Sequence, residues 1–188
     1  MEDQDFIPTV LELYDVLMTF YTDTKILTKN NKELISSEEI QSFNRLHIKS
    51  LVSSIEGSIY VIKQIVLQKN NLNSENGLNG YELMFIAEKN PRLKENGDID
   101  YERISSIGLI PNLNFTIKII KKVFNADLKI EKETLKKIDA VRLIRNRITH
   151  PKTFQSLKIS HTEMKDVASV FFWYRDFMNQ ILNILDTV

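Results

Sequence analysis

Apolar residues recur along this chain at intervals of three and four, the spacing that gathers them on one side of an α-helix. The first such pattern begins near Asp5, with Pro8 placed early, where a missing N–H costs little. It continues through Leu11, Tyr14, Leu17, Met18 and Tyr21 and fades near Lys25. Ser36 and Glu39 then stand at capping-box spacing, in which each side chain satisfies a backbone N–H at the helix start. From there Ile40, Phe43, His47, Leu51, Ile55, Ile59, Ile62 and Val66 carry one apolar stripe for about eight turns. Gly57 falls inside that stripe, where it weakens the helix by about 1 kcal/mol relative to Ala or lets another helix come close. His47, flanked by Phe43 and Leu51 on the stripe, reads as a satisfied core histidine.

An Asn- and Gly-rich run from Asn70 to Gly80 interrupts the periodicity. A short helix is expected over Tyr81–Lys89, stopped by Asn90-Pro91. Asn96-Gly97-Asp98 reads as a turn, and a second short helical piece is expected over Tyr101–Ile107. Pro111 opens another helix, with Leu113, Ile117, Ile120 and Phe124 on one stripe. The next spans about Glu131 to Thr149. The last starts at a second capping box, Ser160 with Glu163, and carries Val167, Val170, Phe171, Tyr174, Phe177, Met178, Ile181, Leu185 and Val188. No internal repeat and no alternating strand pattern interrupts this. The expected fold is all-α: one domain over residues 1–188, a bundle of four to five long helices with a short helical and loop insertion at about 70–111.

Composition narrows the chemistry. Of 188 residues, 43% are apolar and 27% charged, a balance that builds a core and excludes a disordered tail. Lys+Arg and Asp+Glu number 25 each, so nucleic acid would have to be met by a local basic patch, not by a global positive field. The chain has no cysteine, which excludes disulfide scaffolds, thiolate zinc sites and cysteine nucleophiles. Three histidines make a His-rich metal cage a poor expectation. Asp98-Ile99-Asp100-Tyr101-Glu102 reads as an acidic turn, because it lacks the glycine and distant glutamate of a calcium loop. The acidic start Met1-Glu2-Asp3-Gln4-Asp5 and the lack of an uninterrupted apolar run of about 18 residues point to a cytoplasmic protein with no membrane span.

One segment breaks the charge balance. Residues 136–152 hold six lysines and arginines against one acid. On a wheel of about 100° per residue with Ile144 at zero, Ile148, Val141 and Ile138 fall between about 40° and 120° and mark the buried arc. Arg145 falls at about 100°, inside it, whereas Lys136 and Arg147 fall outside and can be solvated. A guanidinium on a buried arc needs an acceptor. His150 precedes Pro151, which disfavours α geometry for the residue before it, so the helix should end at about Thr149. The histidine then stands just beyond the C-terminal carbonyls, whose negative end favours an imidazolium. An arginine that grips phosphate oxygens beside a histidine that exchanges protons suits a phosphodiester. RNA carries its own nucleophile, the 2′-OH, so such a site requires no metal and no cofactor.

Arg145-Asn146-Arg147-Ile148-Thr149-His150 resembles the R-x4-6-H motif of HEPN domains, in the form with asparagine after the arginine. The resemblance implies a helical domain with the motif near the end of a long helix, paired as a homodimer. It also implies a metal-independent endoribonuclease that leaves 2′,3′-cyclic phosphate ends, in a toxin–antitoxin, abortive-infection or related prokaryotic defence system. Carried onto this chain, Arg145 would hold the scissile phosphate, His150 would be the acid/base, and Asn146 would orient one or the other. Arg142, Arg147 and Lys152 would gather the RNA backbone, and two copies of the motif would share one composite cleft. An antitoxin protein is a possible partner. Lys152 stands where the toxins paired with minimal nucleotidyltransferases often carry tyrosine, a departure from that subfamily.

Other readings of the same residues stay open. Arg145 also fits a structural arginine paired with a carboxylate such as Asp15 or Glu56, and His150 a helix-capping histidine. The family equally implies a non-catalytic dimerisation or nucleotide-binding adaptor. A helical scaffold whose partner surface is the last helix is a third reading, and the Phe171-Phe172-Trp173-Tyr174 cluster reads as core or dimer interface.

Overall fold

The computed structural model describes residues 10–29, 37–72, 77–87, 92–93, 99–100 and 107–186. Among these, six α-helices make the fold all-α: α1 Val10–Lys29, α2 Ser37–Leu72, α3 Gly80–Ile86, α4 Leu109–Phe124, α5 Lys132–Thr149 and α6 His161–Asp186. The expected starts at Asp5 and Ser36, the turn at 96–98 and most of the helix over Tyr101–Ile107 lie outside the described residues. α1 persists to Lys29, past the expected fade at Lys25, and α3 stops at Ile86, short of Lys89. Between α3 and α4, β1 (Arg92–Leu93) pairs antiparallel with β2 (Ile99–Asp100), Arg92 opposite Asp100 and Leu93 opposite Ile99. A two-residue ladder is too short to leave an alternating pattern in sequence, which is why none was expected there.

α2 is the longest element, 36 residues and about 54 Å. By length and composition it could cross a membrane, with a mean hydropathy of 1.2 over its most apolar stretch. That stretch is 61% buried within the protein, as the core helix of a bundle would be.

The chain divides into two compact units, Met1–Val16 with Ile59–Leu128, and Leu17–Ser58 with Lys129–Val188. In the first, Leu13, Ile59, Ile62, Val66, Leu113, Ile117 and Ile120 are buried, and each such aliphatic side chain contributes about 1.5–3 kcal/mol. Asn79 caps α3 in a reciprocal box with Glu82, a signal that the sequence reading passed over. Lys122 bonds Glu82 at 2.7 Å and, as the largest influence, holds that carboxyl below its ordinary range. Lys63 is fully buried, with Nζ donating to Asn112 Oδ1 at 3.1 Å. An ammonium taken out of water needs such an acceptor. Asn125, in left-handed geometry at φ 50°, ends α4.

The second unit carries the basic segment. α5 and α6 pack together, burying Ile138, Val141, Ile144 and Ile148 from one and Val167, Val170, Phe171, Tyr174 and Met178 from the other. Gly57 allows the close approach expected of it: a Cβ there would stand 2.6 Å from Cε2 of Phe20. Tyr174 is buried with its hydroxyl 2.7 Å from Ser58 Oγ. Burial pushes its phenol up to about 12, and the Ser58 hydrogen bond pulls the other way. His47 is indeed in the core, its ring 6.0 Å from those of Phe43 and Phe171. It is not the satisfied histidine expected, because its buried Nε2 has no hydrogen-bond partner. Burial accordingly pushes its pKa below the ordinary 6.5. Of the aromatic cluster, Phe171 and Tyr174 are core, Trp173 stacks on Phe177 at 5.2 Å, and Phe172 is exposed.

Candidate functional site at the end of α5

α5 is helical because its four buried aliphatics repeat at three and four, and it ends because Pro151 follows. His150 is the C-cap, at φ −122° and ψ 64°, off the helical path while its N–H still bonds Asn146 O at 3.0 Å. Thr149 Oγ1 donates back to Arg145 O at 2.7 Å and secures the last turn. The imidazole of His150 is exposed, as is Lys152. The helix boundary and the buried arc therefore fall where the sequence puts them.

Arg145 lies at the edge of that arc, its side chain 25% exposed. Its Nη2 donates to Glu56 Oε1 of α2 at 2.5 Å. Its Nε is buried and has no hydrogen-bond partner. A guanidinium offers five donors, so one ion pair leaves capacity for a further acceptor. Glu56 was one of two carboxylates named as possible partners from sequence alone. Its side chain is 43% exposed, so the pair sits at the rim of the core and not inside it. Asn146 is half-buried beside it.

The remaining basic residues divide. Arg142 pairs with Asp139 one turn back at 2.8 Å. Arg147 lies outside the buried arc with a third of its side chain exposed, and it is also paired: Nη1 donates to Lys158 O at 3.0 Å and Nη2 to Glu163 Oε1 at 2.6 Å. The chain returns from residue 150 to α6 and folds back over the helix end, and that return supplies the acceptors. Arg147 therefore joins the end of α5 to the start of α6, a role that its position on the wheel did not reveal.

The connecting loop is itself anchored. Its 3-10 turn, Phe154–Leu157, is capped by Thr153, which accepts from Ser156 N–H. Ile159 is buried, and both its backbone groups bond the Gln41 amide of α2, at 2.9 Å through the carbonyl and 2.8 Å through the N–H. The second capping box closes as the spacing predicts, Ser160 N–H to Glu163 Oε2 at 2.8 Å and Glu163 N–H to Ser160 Oγ at 3.2 Å. Glu163 thus serves cap and Arg147 together.

Gln41 and Lys63 are two further residues with structural roles that the motifs do not mark. Lys63 had a signal, since it follows Ile62 and lies four residues after Ile59 and three before Val66, on the apolar stripe. Gln41 had none, because its partner is 118 residues away. Among the described residues no group of three His, Asp or Glu side chains is placed to hold a metal ion. In comparisons with protein-family models, with curated proteins and with solved structures, nothing matches this chain.

Proposed function

We propose that this is a HEPN-like helical domain acting, as a homodimer, as a metal-independent endoribonuclease. The observation that carries the reading is Arg145 and His150 at one helix end, the first with a quarter of its side chain exposed beside Glu56, the second exposed at the C-cap. In this mechanism the neutral His150 imidazole takes the proton of a ribose 2′-OH as its oxygen attacks phosphorus. The P–O5′ bond breaks, giving a 2′,3′-cyclic phosphate and a 5′-hydroxyl. Protonated His150 of the partner subunit supplies the leaving oxygen with its proton. Arg145 holds the non-bridging oxygens, whose charge grows in the pentacoordinate state, and Asn146 orients the phosphate. Arg142, Arg147 and Lys152 form the basic surroundings of the strand. Arg142 and Arg147 do so from within ion pairs, which leaves Lys152 the most accessible of the three. A prokaryotic defence or toxin–antitoxin setting, with an antitoxin as partner, belongs to the same proposal.

The Arg145–Glu56 pair favours a second reading, a non-catalytic HEPN-like adaptor whose motif is internally neutralised. Incubation of the purified chain with total RNA in excess EDTA, beside Arg145→Ala and His150→Ala, separates the two. Cleavage by wild type alone, with cyclic phosphate ends, supports the enzyme. Intact RNA in every lane from folded dimer supports the adaptor. Equal cleavage by all three proteins ends the argument from the motif.

A further inference from the structure

We propose that the cleft between the first turns of α2 and the loop after α5 is a subsite for one base of single-stranded RNA, an inference that rests on the ribonuclease reading above. The cleft has a volume of about 500 Å³, within the range of small-molecule sites. Ile40 and Leu157 supply apolar walls, and Phe154 presents an aromatic ring that is 74% exposed. An exposed ring beside a cleft is a platform on which a base can stack, and only an unpaired base has a free face to offer.

The charges fit the same occupant. Lys158 and Arg45 face the cleft against one carboxylate, that of Glu38, so the lining favours an anion attached to the ring. Lys158 Nζ stands over one face of the Phe154 ring, 5.9 Å from its centroid, so a base stacks on the opposite face with the ammonium close by. The hydrogen bonds of Arg45, to Leu157 O at 3.4 Å and Ser42 Oγ at 3.2 Å, are to neutral groups and leave its charge for a phosphate.

The cleft is also tied to the motif. Phe154 follows His150 by four residues, which limits their separation to about 14 Å. Arg147 of the motif holds the carbonyl of Lys158, so the last turn of α5 and one wall of the cleft are joined by a hydrogen bond. A strand whose phosphate meets Arg145 and His150 can therefore lodge a neighbouring base against Phe154.

The test titrates the full chain with each of the four nucleoside 5′-monophosphates and with inorganic phosphate, followed by calorimetry. At least one nucleotide should bind at sub-millimolar concentration. Phe154→Ala should weaken it about 5- to 100-fold, the loss expected when a stacking face is removed. Phe154→Tyr should bind as wild type does. Lys158→Ala should weaken binding several-fold and flatten its salt dependence, and Lys165→Ala on α6 should change nothing. The side chain of Phe154 is mostly in solvent, so both of its variants should fold, which a thermal melt checks. Nucleotide affinity unchanged in Phe154→Ala overturns the subsite, as does inorganic phosphate binding as tightly as the nucleotide, or no nucleotide bound at millimolar concentration. The two readings fail separately. Nucleotide bound through Phe154 by a chain that leaves RNA intact refutes the ribonuclease. RNA cut equally by wild type and Phe154→Ala, with equal nucleotide affinity, refutes the subsite alone.

Discussion

The loop between α5 and α6 has two ends, and they differ in how their polar groups are occupied. At the α6 end the groups that tie loop to helix are paired: Ser160 and Glu163 cap each other, Glu163 also accepts from Arg147, and Gln41 bonds both backbone groups of Ile159. At the α5 end the His150 imidazole is exposed and Arg145 keeps a buried N–H with no partner. Groups paired in this way add stability, and each of them is already occupied. An end that keeps an exposed imidazole and an unpaired buried N–H is less stable than it could be, and the ribonuclease reading proposed above gives the exposed group a substrate. The two ends lie a dozen residues apart in one compact unit. The contrast separates paired from unpaired groups within one cluster of charge, which the composition of the segment could not do.

Substitutions at the two ends should therefore fail in different ways. Under the ribonuclease reading, His150→Ala lowers RNA cleavage about 10²- to 10⁴-fold, the usual share of an acid/base group. Its urea midpoint stays at the wild-type value because the exposed ring packs against little. A matching loss of stability would place His150 with the structural end. Gln41→Ala should lower stability by about 1–3 kcal/mol, since the part-buried backbone of Ile159 loses both partners. Glu163→Ala should cost about 1–2 kcal/mol by removing the cap. In both variants the protein that remains folded should lose far less cleavage than His150→Ala does, because neither side chain exchanges a proton with RNA in the proposed mechanism. A loss as large as that of His150→Ala with stability intact would move the α6 end into the site.

The smallest expected effect comes from the core beneath this region. His47 is buried with Nε2 unpaired, and its pKa is lowered from 6.5 by desolvation. The unfolded chain then binds a proton more readily than the folded one. The contribution of the neutral ring is fully present above pH 6.5 and is lost as the pH falls from there towards the lowered folded value. Denaturant unfolding between pH 7.5 and 5 should show that decline for wild type and a flatter profile for His47→Phe. Identical profiles would mean that His47 does not experience the desolvated core.

Much of the candidate site is legible in the sequence. The stripe Ile138, Val141, Ile144, Ile148 is buried as drawn on the wheel, and the Ser160–Glu163 box closes as its spacing requires. His150 leaves the helix because Pro151 follows. These features depend on residues within one or two turns of each other, and helical periodicity and proline sterics act at that range. The tie that Arg147 makes between the two helices has no local signal for the complementary reason: its acceptors, Lys158 O and Glu163, arrive only when the chain folds back 11 and 16 residues later.

The remaining features were settled by packing. The choice of Glu56 for Arg145 spans 89 residues, and the clamp of Gln41 on Ile159 spans 118. A wheel shows which side of α5 is buried, but the rotation and crossing of α2 against it decide which carboxylate the buried side meets. The orphaned nitrogens of His47 and Arg145 belong to the same class, because an unmet hydrogen bond is a property of everything around the atom. The order of the helices, their caps and the exposed histidine at a helix end follow from local sequence. The pairing of Arg145, the anchoring of the loop and the cleft beside Phe154 exist only once distant helices have packed.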